Sequence, residues 1–301
     1  MTINTGAIAK LLWPGLNAVW GKEYTEHPMQ WRDLFDSEES SMHREEEVLM
    51  PGFGLAPIKT EGGSIAYDTT SQGYTSTYNH VEYGLGFVVT RKAIDDNQYE
   101  RKALGQTRDL AFSFRQTKEN VGANVYNRAF NSSYTGGDGK ELCATDHPIQ
   151  GGTLSNELAT PADLSEAALE DACVQIMGFV NDRGLAISVR PRALIVPRQL
   201  VFEAQRILKS QLQSGTSNND VNALRSLGIF PDGAKVNQYL TDADAWFIRT
   251  DVKNGMKHFQ RISPEFAQDK DFDTDNLKYK GYERYSFGWT DPRAVMASAG
   301  A

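Results

Sequence analysis

The stretch from Tyr99 to Asn131 constrains this chain more than any other. It contains no proline, and its apolar residues Leu104, Ala111, Phe114, Val121, Val125 and Ala129 are spaced by seven, three, seven, four and four positions. That spacing draws one apolar stripe down a helix. The predicted helix far exceeds the about 11–12 residues usual in globular proteins. The stripe is also thin. Thr117 and Lys118 interrupt it, and Gly105 and Gly122 each weaken the helix by about 1 kcal/mol relative to alanine. Such a helix must lie along a sheet or another chain. Its charges are Arg101, Lys102, Arg108, Arg115, Lys118 and Arg128 against Glu100, Asp109 and Glu119, so it is a basic spine in a protein of net charge -8.

The 301 residues suffice for one large domain or two smaller ones. An acidic balance argues against a sequence-specific nucleic-acid reader, which needs a basic face for phosphates. Two cysteines, Cys143 and Cys173, are too few for a disulfide framework and suit a reducing compartment. No apolar run approaches the ~20 residues that span a bilayer, and MTINTGAIAK does not read as a signal peptide. The expectation is a protein made in the cytoplasm, with no membrane partner.

Met1 to Glu47 reads as an arm. Ile8, Leu11, Leu12, Leu16, Val19 and Trp20 line one face of a short helix that Pro14-Gly15 is expected to break, and Trp13 and Trp31 add apolar area that must pack elsewhere. The acidic run Asp36, Glu38, Glu39 and Glu45 to Glu47 reads as a solvated face. From Val48 to Thr90 glycines, prolines, threonines and tyrosines mark strands and turns, with Tyr83, Leu85, Phe87 and Val89 alternating into a core strand. Val48 to Tyr78 has too little apolar bulk for its own core and is expected to project as an extended hairpin. Asp95 and Asp96 offer cap oxygens to the spine helix.

Glu141 to Asn156 reads as surface chain. A second compact unit begins near Pro161, with a helix over Leu164 to Val180 capped by Asp163, a buried strand at Ala193 to Val196, a helix over Gln199 to Leu212 opened by Pro197, a loop at Ser214 to Asp220 and a buried strand at Trp246 to Ile248. Lys278 to Trp289 alternates, with Tyr279, Gly281, Glu283, Tyr285, Phe287 and Trp289 on one face. Strands and helices without a regular βαβ repeat predict an α+β architecture.

The sequence assembles no active site. The five histidines (His27, His43, His80, His147, His258) lack partners at ligand spacing, and Cys143 with His147 lacks the second pair a structural zinc needs. Asp269, Asp271, Asp273 and Asp275 open like a calcium loop, but Thr274 stands where glycine belongs and Lys280 where glutamate belongs. Gly84-Leu85-Gly86 and Gly136-Gly137-Asp138-Gly139 are not framed by a strand and a helix as a nucleotide site requires. No catalytic, cofactor or metal residue is assigned.

An apolar arm, a projecting hairpin, FVVTRKAIDD, a spine ending AFNSSYTGGDG, then ISVRPRALIVPRQLVFEAQRIL and YERYSFGWTDPRAVMAS follow in that order. This order resembles the tailed-phage major capsid proteins of the HK97-like fold, and DGKELCATDHP resembles the Mu-like major head subunits. The resemblance implies an N-terminal arm at 1–47, an extended loop at 48–83, a peripheral domain at 84–160 and 269–292 with its spine at 99–131, and an axial domain at 161–268 and 293–301. Ser214 to Asp220 would be an axial loop, and Val295 to Ala297 a returning axial strand. It further implies hexamers and pentamers in an icosahedral shell around double-stranded DNA held without sequence specificity, with separate scaffolding, portal and decoration proteins and assembly in the host bacterial cytoplasm. No fused scaffolding segment is evident. Lys59 lies in the loop where some relatives carry a Lys–Asn crosslink, without marking one here. An encapsulin-like compartment and a soluble α+β hydrolase are the alternatives.

Overall fold

The computed structural model describes residues 5–26, 28–69, 72–95, 99–213 and 220–301. The chain opens with α1 (Thr5–Thr25), α2 (Trp31–Leu34), β1 (Asp36–Glu39) and β2 (Arg44–Val48). After a long loop come β3 (Thr75–Asn79), β4 (Val81–Val89), α3 (Arg91–Asp95) and the spine α4 (Tyr99–Asn127). The short strands β5 (His147–Ile149) and β6 (Gly152–Leu154) precede α5 (Glu166–Met177), β7 (Pro191–Pro197), α6 (Val201–Lys209), α7 (Ala223–Ser226), β8 (Gly233–Asn237) and β9 (Trp246–Thr250). The chain closes with β10 (Met256–Lys270), β11 (Leu277–Trp289) and β12 (Val295–Ser298).

Eight of these strands form two four-stranded sheets, and β2 with β3 and β5 with β6 form two-stranded ones. The first runs β1-β10-β11-β4, and the second β12-β9-β7-β8. Only β1 with β10 and β7 with β8 pair in parallel; the other neighbours within these sheets are antiparallel. The division expected at residue 268 falls inside β10, which lies whole in the first sheet.

The spine lies on the first sheet because β11 alternates as its sequence predicts. Tyr279, Glu283 and Tyr285 are buried beneath α4, and a Cβ at Gly281 would stand 2.7 Å from the Phe114 ring and 2.8 Å from Trp20. Glycine there lets helix and sheet approach. The spine ends at Asn127, short of the expected Asn131, as single turns take over. The capping expected of Asp95 and Asp96 falls outside the described side chains.

The arm helix does not break at Pro14, and α1 runs through it. Proline removes one backbone hydrogen bond, but apolar contacts hold the helix on both sides. Leu16, Trp20 and Tyr24 are buried, Trp20 meets Phe114 edge-on at 5.5 Å, and Trp13 and Trp20 stack on Phe266 at 5.2 Å each. The arm therefore covers the thin stripe of its own chain's spine.

The acidic run is exposed along β1, as a solvated face should be, and it also forms strands and ion pairs. β1 edges the first sheet, and β2 pairs with β3 from Arg44↔Asn79 to Val48↔Thr75. The buried Lys257 amine meets Glu38 at 3.2 Å and also pairs with Glu47. Glu141 to Asn156, by contrast, is no surface chain, since Leu142, Cys143, Ala144, His147, Leu154 and Asn156 are buried. Asn156 is the reason. Its amide donates to the carbonyls of Leu142, Pro292 and Val295, and its oxygen accepts from Ala144 N–H at 2.9 Å.

In the second unit α5 starts at Glu166, and its cap is Ser165, whose side chain accepts from Ala168 N–H, in place of Asp163. The helix expected over Gln199 to Leu212 is a short 3-10 turn at Arg198–Leu200 followed by α6, ending at Lys209. All but Asp220 of the Ser214 to Asp220 loop lies outside the described residues.

Candidate functional site

The motifs that invited chemical readings are built into the fold as packing and ion pairing. Cys143 is wholly enclosed, and burial drives its thiol well above the ordinary range. His147 faces Asp138 Oδ2 at 2.6 Å through Nδ1 and Asn156 Oδ1 at 3.1 Å through Nε2. The aspartate cluster closes the β10–β11 turn. Asp271 accepts from Thr274 at 2.6 Å and pairs with Lys278 at 3.0 Å, and Asp275 pairs with Lys270 at 2.6 Å. These contacts hold the carboxyls of Asp271 and Asp275 below their usual range. Among the described residues no group of three His, Cys, Asp or Glu is placed to hold a metal. Gly136 and Gly137 serve close approach, because a Cβ there would stand 2.6 Å from Trp289 Nε1 and 2.6 Å from the Thr75 carbonyl.

Two arrangements stand out. The first is a buried polar knot where α1, α4 and β11 meet. Lys118, read from sequence as an interruption of the stripe, points inward and pairs with the fully buried Glu283 at 2.5 Å. Tyr24 OH donates to both oxygens of that carboxylate at 3.2 and 3.1 Å. The next spine residue, Glu119, accepts the backbone N–H groups of Gln30 at 2.8 Å and Trp31 at 2.9 Å, fastening the arm's end to the spine. Burial raises the Glu119 carboxyl above its ordinary pKa, opposed by those two donors. Two adjacent spine residues thus grip the sheet and the arm. Glu283 sits on the face that alternation predicted for β11; its pairing with Lys118 needed the fold.

The second is the loop between β2 and β3. Residues 51–69 carry no regular strand or helix, and the loop exposes Met50, Phe53, Leu55, Ile58, Ile65 and Tyr67, with Ile58 97% and Tyr67 94% accessible. Its own charged contact is slight. Asp68 accepts from Gly54 N–H at 2.8 Å and pairs at 2.5 Å with Arg183, at the turn after α5. Further apolar groups face outward around the second sheet: Val174 and Met177 on α5, Phe202 on α6, and Leu227. A single exposed apolar residue is ordinary, but several on one unsupported segment mark a contact surface.

The model of the phage capsid protein family matches residues 73–298. The chain belongs to the phage capsid protein family. No curated protein sequence matches it. Among solved structures, the capsid of Ralstonia phage GP4 superposes with a TM-score of 0.57 at 12% identity, covering 89% of this chain and 87% of that one. The procapsid of bacteriophage JBD30 gives 0.51 at 12% identity over 97% and 75%. The virus-like particle from Pyrococcus furiosus gives 0.50 at 11% identity over 94% and 97%. The capsid protein has the HK97-like fold, with its two sheets and the long α4. Its arm and loop, lying largely before residue 73, are outside the matched family segment.

Proposed function

We propose that this capsid protein self-assembles through hexamers and pentamers into an icosahedral shell around double-stranded DNA. In that reading α1 with β1 is the arm, the loop after β2 is the extended loop laid on a neighbouring subunit, and α4 with the first sheet is the peripheral domain. The second sheet, with α5 to α7, is the axial domain. The observation that carries it is the loop, which presents six large apolar side chains on a segment without regular structure, a surface that only a partner can cover. Family membership supplies the class of partner, further copies of the same chain. Closed symmetry lets such surfaces bury one another without leaving a free edge.

Net charge of -8 suits a wall that encloses DNA without gripping it, since strong phosphate binding needs a basic face. Separate scaffolding and portal proteins, and assembly in the host cytoplasm, belong to the same proposal. Membership of a phage capsid family favours this over a cargo compartment or a hydrolase.

Electron microscopy of the purified protein, with sedimentation for its mass, tests the proposal. Closed particles or tubes of hexamers are expected. A discrete monomer that persists when the protein is made together with its phage's other head proteins would overturn it. Ile58→Asp sharpens the test, because the substitution touches no subunit core. The variant is expected to fold like the parent and to yield no closed shells.

A further inference from the structure

The second sheet presents an apolar hollow at one end and an apolar projection at the other. Strand β7 sets their separation: its seven residues, at about 3.3 Å each, put about 20 Å between Pro191 and Pro197. At the Pro191 end lies an open groove of about 720 Å³, lined by Met177, Val189, Pro191, Leu227, Ile229 and Pro231. Because β8 runs parallel to β7, the chain must travel back along α6 before entering it at Gly233, and this return brings Leu227 to Pro231 to the same end. The last turn of α5 reaches the groove through Met177, and Val174, three residues earlier on that helix face, carries apolar surface onward into solvent. At the Pro197 end the turn at Arg198–Leu200 opens α6, and Phe202 projects from the first turn of that helix, 75% exposed.

The charges at the two ends complement each other. Arg198 is exposed four residues before Phe202, and Asp251 is exposed on the groove's rim; among the described residues neither has an ion-pair partner. Arg190, also on the rim, is likewise unpaired. Glu203, beside Phe202 and held only by the exposed Arg206 at 3.2 Å, is the carboxylate that would meet it. The remaining rim charges are spent locally, since Arg192 pairs with Asp232 at 2.9 Å. The projecting end thus offers a cation and a carboxylate around an aromatic ring, and the groove offers a carboxylate and a cation around an apolar hollow.

We propose that Phe202 of one subunit enters the groove of the next copy, with Arg198 meeting Asp251 and Glu203 meeting Arg190 around it. The proposal rests on the shell reading, which supplies the second copy, and it names a contact repeated round each hexamer and pentamer. An aromatic side chain seated in an apolar hollow and ringed by polar contacts is the usual centre of binding energy at an interface. Ring and groove lie at opposite ends of the sheet, so the contact runs head to tail. Contacts of that kind close into rings when the rotation between copies permits. The charges fix which way round the copies meet, since a reversed pairing sets like charges against each other.

Reciprocal charge reversal tests this in the full chain, made together with its phage's other head proteins and followed by electron microscopy and sedimentation. Arg198→Asp and Asp251→Arg each set like charges across the contact, and each should lower the yield of closed particles about tenfold or more. The double variant restores opposite charges and should return the yield close to that of the parent, with circular dichroism confirming that all three fold. Single reversals that assemble at the parent's yield, or a folded double variant that does not recover, would overturn the contact while leaving the shell reading standing, and would give the groove to another occupant such as the neighbour's loop. A parent that forms no particles fells the shell reading and this contact together. A second measurement reads the arrangement directly. In particles carrying both Arg198→Cys and Asp251→Cys, a short bis-maleimide should join chains into ladders as long as the pentamers and hexamers, because Cys143 and Cys173 are buried and do not compete. Linkage that stops at pairs of chains would overturn the head-to-tail arrangement.

Discussion

The two sheets of this capsid protein have cores of opposite kinds. Around the second sheet, Leu169, Ala172, Ile176, Phe179, Leu194, Val196, Trp246, Ile248 and Met296 form a continuous apolar mass. Its one buried indole is satisfied by the Ala162 carbonyl at 3.0 Å. Beneath the spine, aromatic rings alternate with Lys118, Glu119, Glu283 and His258, all buried. The apolar core is stabilised by area removed from water and tolerates swaps of similar volume. The polar core depends on each partner being present, since a buried charge left alone is costly. One half of the subunit is thus self-sufficient, and the other is conditional on the arm.

Breaking the conditional half should have the largest effect. Lys118→Met strands the Glu283 carboxylate and is expected to cost about 3–5 kcal/mol in urea unfolding. Leu169→Ala in the apolar half opens a cavity and should cost about 2–5 kcal/mol, without altering how stability varies with pH. Acid should separate the halves next. His258 is buried beside Lys118 and Arg32, and burial first, then those charges, push its pKa down to about 2. Below pH 6.5 the unfolded chain takes a proton that the native protein refuses, so stability is lost as pH falls, by about 2–3 kcal/mol at pH 4.5. In His258→Gln this part of the acid loss should vanish; an unchanged slope would assign it to the carboxyls. Tyr24→Phe removes only the arm's hydroxyl from Glu283 and should cost about 1.5 kcal/mol, with protease access to the arm rising more than global unfolding. Ser165→Ala should cost least, about 1 kcal/mol, through the lost cap of α5.

What could be read from sequence divides along the same line. Hydrophobic patterning revealed α4, β7, β9 and β11, because apolar residues that pack together write their spacing into the chain, whereas β12 was implied by the family resemblance alone. It misjudged what polar groups organise. Lys118 looked like a defect in the stripe, Glu47 like part of a solvated face, and Glu141 to Asn156 like surface chain. Each is ordered by a partner far away in sequence: Glu283, Lys257 and the carbonyls of Pro292 and Val295. Pairing across such separations leaves no local period. Pro14 misled for a related reason, since the contacts that carry α1 past it come from α4 and β10. The outward apolar residues of the loop were the opposite case: too little bulk for a core was visible, and it proved to be surface.

The strand order also sets a timetable for synthesis. Asp36 pairs with Lys257, and Val81 with Tyr285, so the first sheet joins residues some two hundred positions apart. The second cannot close before Val295 to Ser298 reaches β9. At about 5–20 residues per second on the ribosome, the arm and loop spend many seconds in the cell with neither sheet complete. Distant pairings of this kind also close slowly, because loop entropy is lost before contacts form. The newborn chain therefore shows its stickiest surfaces longest, and it should reach soluble form in higher yield when folding chaperones are abundant.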